Sequence, residues 1–161
     1  MPSTLQQEVN DAIRKLNLVA DRARRKSTSA LRRGAAPIVA AAKANAPQHD
    51  RPHRRYKDGK IVATYYPGNL RRSIQVLPLR KTKNAVLIGP KLAKSTGGAS
   101  GDFRGRRVDG YYAHFVEYGT VDQPPQPYMR PAVESAGDLA LRISVKELKA
   151  EIEKAAREVS V

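Results

Sequence analysis

Residues 3–46 read STLQQEVNDAIRKLNLVADRARRKSTSALRRGAAPIVAAAKANA, and this stretch decides the architecture. Leu5, Val9, Ile13, Leu16, Val19 and Ala23 recur at steps of three and four, which winds one apolar stripe along a helix. Ser3 or Thr4 can cap it, and Ser3-Thr4-Leu5-Gln6 has the spacing of a capping box. Basic residues from Arg14 to Arg33 crowd the middle. Gly34-Ala35-Ala36-Pro37 then interrupts the pattern before Ile38, Val39 and Ala42 resume it, so a break is expected near Pro37. One unbroken helix would run roughly 60 Å at about 1.5 Å per residue. A small domain cannot cover so long a stripe, and part of it is expected to pack on another subunit.

Outward from this helix the pattern changes. Gln48 to Lys60 is polar and basic, with no apolar period, and reads as a solvated loop carrying Arg51, Arg54, Arg55 and Lys57. Lys60 to Tyr66 is a short candidate strand, and Pro67-Gly68-Asn69 turns the chain. Ser73 to Leu77 and Asn84 to Ile88 are β-branched or apolar runs separated by polar residues, which predicts an antiparallel hairpin, with Pro78 at a bulge or an edge. Lys91 to Gly110 holds Gly97, Gly98, Gly101 and Gly105 with basic Lys94, Arg104, Arg106 and Arg107, and is expected to be a long mobile loop.

Tyr111 to Thr120 predicts a short helix, because Tyr112, Phe115 and Val116 share a face and Gly119 sits at the C-cap. Three prolines between Gln123 and Pro127 hold the next segment extended. Pro131 suits a first helical turn, and Val133, Ala136, Ala140, Ile143, Leu148, Ile152, Ala155 and Val159 continue a helix to the end. The expected fold is α+β: one domain over 1–161, its long N-terminal and C-terminal helices packed on a small antiparallel β-sheet, with a short helix between and basic loops at 48–60 and 91–110.

Composition agrees with that plan. The 161 residues include no Cys and no Trp, and aromatics make up 6%, so the core is built mainly from Ala, Val, Leu and Ile. Disulfides, thiolate metal sites and a cysteine nucleophile are excluded. No apolar run approaches the roughly 18 residues of a membrane span, and no secretory signal is visible, so a soluble protein made in a cytoplasm is expected. The net charge is +15, and it is polarised: residues 1–110 carry 24 basic and 7 acidic side chains, residues 111–161 carry 6 and 8. Such a surface attracts polyanions without reading sequence, which keeps a non-specific nucleic-acid-binding module as an alternative.

Catalytic signals are weak. Gly97 to Gly101 lacks the Lys-Ser/Thr pair of a P-loop, and His114 has no Ser-His-Asp pattern around it. Pro52 breaks the register that would bring His49 and His53 together with Asp50 on a metal. Neither enzyme activity, nor a cofactor, nor a metal is expected. Glu117 is an isolated acid in a basic chain. It is read either as a solvated helix residue or as the partner of Arg71, Arg72 or Arg130.

Two stretches carry a resemblance. Ala44-Asn45-Ala46-Pro47 ends an alanine-rich helix, and Gly68-Asn69-Leu70-Arg71-Arg72-Ser73-Ile74 opens a strand. Tyr112-Ala113-His114-Phe115-Val116-Glu117-Tyr118-Gly119-Thr120 is then followed by Pro127-Tyr128-Met129-Arg130-Pro131-Ala132. In this order they resemble the tail-component family of tailed bacteriophages, although the stretch between Pro47 and Gly68 is longer than the link common in that family. The resemblance implies a structural virion protein of the neck, a tail-completion or head-tail joining subunit, with tail terminator as a variant of the same role. It implies a homo-oligomeric ring, hexameric, around packaged double-stranded DNA, between a head adaptor or stopper and a tail terminator or tail tube. Its matching motifs would put Leu70, Arg71, Arg72, Tyr112, Phe115, Glu117, Tyr118, Gly119, Tyr128, Met129 and Arg130 at assembly contacts. The basic residues Arg51, Arg54, Arg55, Lys57, Lys94, Arg104, Arg106 and Arg107 would lie near the DNA.

Overall fold

A computed structural model describes residues 4–79, 82, 84–92 and 108–160. The chain runs α1 (Thr4–Gly34), α2 (Ala36–Asn45), β1 (His53–Lys57), β2 (Lys60–Tyr65), α3 (Asn69–Ser73), β3 (Ile74–Pro78), β4 (Val86–Pro90), α4 (Ala113–Tyr118) and α5 (Met129–Ser160). The expected α+β class holds, with α1 and α2 both packed along α5.

The break in the N-terminal helix falls at Ala35, and it is soft. Ala35 keeps helical dihedrals, its N–H donates to the Leu31 carbonyl at 2.9 Å, and its own carbonyl accepts from Val39 at 3.1 Å. Pro37 in the first turn of α2 has no N–H, so the Arg33 carbonyl loses its helical donor and the axis bends. Beyond the break α2 stays packed on α5.

The seam between these helices is lined with small residues. Ala30, Ala42, Ala132, Ala136, Ala140 and Ala155 are all buried. Gly34 marks the closest approach: a Cβ there would sit 1.8 Å from Ser144 Oγ. An aromatic-poor chain thus fills its core by bringing backbones together rather than by inserting large side chains. Arg33 binds Glu147 and Glu151 across the seam, and Arg22 reaches Glu158 at 3.5 Å, which fixes α1 and α5 as antiparallel. The charge polarity of the sequence is therefore partly cancelled in space.

The expected single sheet resolves into two separate hairpins. β3 and β4 pair antiparallel from Ile74↔Pro90 to Pro78↔Val86, as the sequence predicts, with Pro78 at the strand end. The other hairpin corrects the reading of 48–60 as loop: residues 53–57 pair with β2, from His53↔Tyr65 to Lys57↔Lys60, with a bulge between Arg55 and Tyr56. Asp58 and Gly59 form its two-residue turn at φ 52° and 72°, the conformation that an Asp-Gly pair supplies. A second correction concerns Asn69 to Ser73, expected to open a strand. This segment makes one helical turn after Gly68, whose φ is 72°, and only Ile74 begins the strand. The loop expected over 91–110 lies largely outside the described residues, and Lys94, Arg104, Arg106 and Arg107 lie there with it.

The main core gathers where α2, α3, α4 and the start of α5 meet. Ala42, Ala46, Leu70, Ile74, Ala113, Tyr128 and Ala132 are buried together, and Val39, Val116 and Met129 pack against them. Tyr128 is the largest fully buried side chain among the described residues.

Candidate assembly site at the joint of α4 and α5

Helix α5 begins without a capping residue of its own. The position before Met129 is Tyr128, which offers no side-chain acceptor to the first turn, and the four leading N–H groups of a helix need partners. Glu117, eleven residues upstream on α4, supplies them. Its Oε2 accepts from the N–H of Tyr128 at 2.9 Å and of Met129 at 3.0 Å, and its Oε1 accepts from Arg130 N–H at 3.3 Å. The fourth position is Pro131, which has no N–H to satisfy. One carboxylate at a helix N-terminus thus accounts for the whole set, with the helix dipole adding to its stability.

Glu117 is 5% exposed. Burial pushes its pKa up, but the three backbone hydrogen bonds and the Arg130 guanidinium outweigh this and hold it below the ordinary carboxylate range. Of the three arginines considered as partners, Arg130 is in place, with Nε 3.7 Å from Oε1 and the guanidinium 5.1 Å over the Tyr118 ring. Arg72 instead donates to the Pro67 carbonyl at 2.9 Å, and Arg71 is exposed. The solvated reading of Glu117 is overturned. Its main partners are backbone groups, which the sequence reading missed; the signal was a helix opening on Tyr-Met-Arg-Pro with no local cap.

Gly119 sets the path between the two helices. Its N–H closes α4 on the Phe115 carbonyl at 2.9 Å, and its φ of 79° with ψ of 179° belongs to glycine alone. A Cβ would meet Gln123 O at 2.8 Å and Pro125 N at 2.9 Å. The chain then turns, with Thr120 N–H donating to the Gln123 carbonyl at 2.9 Å, and Gln126 N–H returns to the Val116 carbonyl at 2.8 Å. The prolines carry it straight to Tyr128. Burial, and then the nearby Glu117 carboxylate, push the Tyr128 phenol up to about 12, so it stays neutral in the core.

A second polar cluster fastens the other side of α4. Asn69, fully buried, donates from Nδ2 to the Asp109 carbonyl at 2.7 Å and to Tyr112 Oη at 3.2 Å, while its Oδ1 accepts the Asp109 N–H at 3.2 Å. Tyr65 Oη donates to Asp109 Oδ2 at 3.4 Å, and the Tyr65 and Tyr112 rings meet edge to face at 5.2 Å. Burial raises the Tyr112 pKa against the lowering effect of Asn69. Tyr65 and Asp109 were not singled out in the sequence, because neither lies in a recognisable motif.

Between these two fastenings, α4 presents a surface. One open groove of about 500 Å³ runs beside Tyr118, Met129 and Val133, and another of about 700 Å³ runs beside Arg51, Phe115 and Gln123. Phe115 and Tyr118 are exposed, with the His114 ring tilted at 41° against Phe115, 3.9 Å between centroids. The structure therefore divides the expected contact residues. Leu70, Glu117 and Tyr128 are buried structural members, Tyr112 and Met129 are half-buried, and Phe115, Tyr118, Arg71, Arg72 and Arg130 face outward. Of the basic residues expected near DNA, Arg51 and Arg54 are exposed, the Arg55 guanidinium lies 3.9 Å over the Tyr111 ring, and Lys57 ends β1.

Among the described residues, no group of three His, Cys, Asp or Glu side chains is placed to hold a metal ion, and no helix is long and apolar enough to cross a membrane. No curated protein and no solved structure matches the chain. The family model of bacteriophage HK97-gp10-like tail components matches residues 10–119, from the first turns of α1 through α4 to its capping glycine. The chain belongs to that family of phage tail components.

Proposed function

We propose that the protein is a structural subunit of the phage neck, acting in tail completion or head-tail joining, and that it works as a ring around the DNA channel. The observation that carries this is the α4–α5 joint. Glu117 and Gly119 lock it internally, while Phe115 and Tyr118 remain exposed between two open grooves, the form of a surface held rigid for another protein. A ring built by rotation repeats one such heterologous contact between neighbours. The faces above and below would meet a head adaptor or stopper and a tail terminator or tail tube, with the exposed arginines of the β1–β2 hairpin turned toward packaged DNA. In this role the subunit needs no chemistry of its own. Genome ejection would pass through the ring it lines.

The test is complementation of a phage lacking the gene, scored by electron microscopy. Glu117→Ala and Gly119→Val are expected to give unjoined heads and tails, and Phe115→Asp to do the same while the purified subunit stays folded. Lys94→Ala is expected to be tolerated. Normal joined particles from Phe115→Asp would overturn the assignment of this surface.

A further inference from the structure

The N-terminal half of α1 carries an apolar stripe that no described part of the molecule covers. Every residue from 4 to 18 is exposed, with Leu5 at 72% and Leu16 at 68%, whereas Val19 is already half-buried and Ala30 fully buried. The outer stripe is continuous with the seam that packs on α5. Leu5, Val9, Ala12, Leu16, Val19 and Ala23 alternate steps of four and three without a fault, which is the heptad spacing of a two-stranded coiled coil. The half that is covered pairs antiparallel with α5, and the half that is not has the same pattern and lacks a strand to pair with.

We propose that this segment pairs with the same segment of a second copy, antiparallel, about a two-fold axis between residues 10 and 11. The sequence is self-complementary in that register. Leu5 faces Leu16 of the second copy and Val9 faces Ala12, so leucine layers flank two layers that set valine against alanine, and the pattern reads identically from both copies. The positions flanking the stripe on one side are Glu8 and Lys15, and antiparallel pairing brings Glu8 of each copy beside Lys15 of the other, twice. Parallel pairing would set Glu8 beside Ile13 and make no such match. Ile13, exposed at 51%, widens the apolar strip on the other flank. The pairing is closed, so it yields a dimer rather than a ring. It goes beyond the neck role and does not depend on it: a paired arm holds free subunits together, or joins two rings.

The full-length protein, measured by light scattering at low salt where exposed ion pairs are least screened, tests this. A dimer is expected, and Val9→Asp should halve the mass without changing the helical signal in circular dichroism, since the residue lies on the exposed part of α1, away from the seam with α5. Glu8→Lys and Lys15→Glu should each weaken dimerisation about tenfold, by replacing two attractive contacts with two repulsive ones, and the double variant should restore it. A monomeric wild type, a mass unchanged in Val9→Asp, or a double variant no better than the singles would overturn the proposal. The neck reading would be untouched by any of these, because it stands on complementation.

Discussion

Glu117 is worth more to this molecule than an ion pair. Removing its carboxylate orphans the buried Tyr128 N–H and the part-buried N–H groups of Met129 and Arg130, and each such group carries a desolvation cost. Glu117→Ala is expected to destabilise the fold by about 2–4 kcal/mol, above the usual loss of a local helix cap because three donors lose their acceptor at once and one of them is buried. Glu117→Gln keeps one acceptor oxygen and should cost about half as much. The same residue sets an acid limb. Its pKa is held below the ordinary value of 4.5, so its contribution is fully present above that value and is lost as pH falls through the lower folded pKa. Urea unfolding from pH 7 down to pH 3 should show this loss in the wild type and a flatter profile in Glu117→Gln. Equal slopes would mean that the carboxylate is not the group that titrates.

At the scale of elements, the α1–α5 seam depends on the absence of a side chain at Gly34. Gly34→Ala would drive a methyl group into Ser144 and is expected to cost about 1–3 kcal/mol, against the usual gain from replacing glycine in a helix. A rise in melting temperature would show that the seam relaxes freely. The long helices, the β3–β4 hairpin, the break before Pro37 and the glycine cap of α4 were all legible in the sequence, because each rests on local periodicity or on one residue's backbone preference. The β1–β2 hairpin was hidden by composition. Arg54, Arg55 and Lys57 give β1 no apolar alternation, and Asp58-Gly59 alone signalled the turn. The short helix α3 escaped because one turn is too brief for a period to show. The partners of Glu117 and the Asn69–Asp109 cluster were illegible for a different reason: they join residues 11 and 40 positions apart through backbone groups, which no residue pattern announces.

For the whole molecule, the electrostatics follow from how the helices fold back on each other. The acids of α5 neutralise part of the basic run of α1, while Arg51 and Arg54 remain exposed. DNA binding is expected to be independent of sequence and to weaken at least about tenfold between about 50 and 200 mM salt. Titration of two unrelated duplexes checks this, and a strong preference for one of them at high salt would favour a dedicated nucleic-acid reader. The neck assignment itself is tested most directly by a reconstruction of the virion neck at a resolution that shows helices. The account predicts a closed ring of this fold around the channel, six subunits in number, with α4 and the start of α5 pressed against a neighbouring chain. A neck reconstructed in full without this chain, or with α4 facing solvent in every subunit, would contradict it.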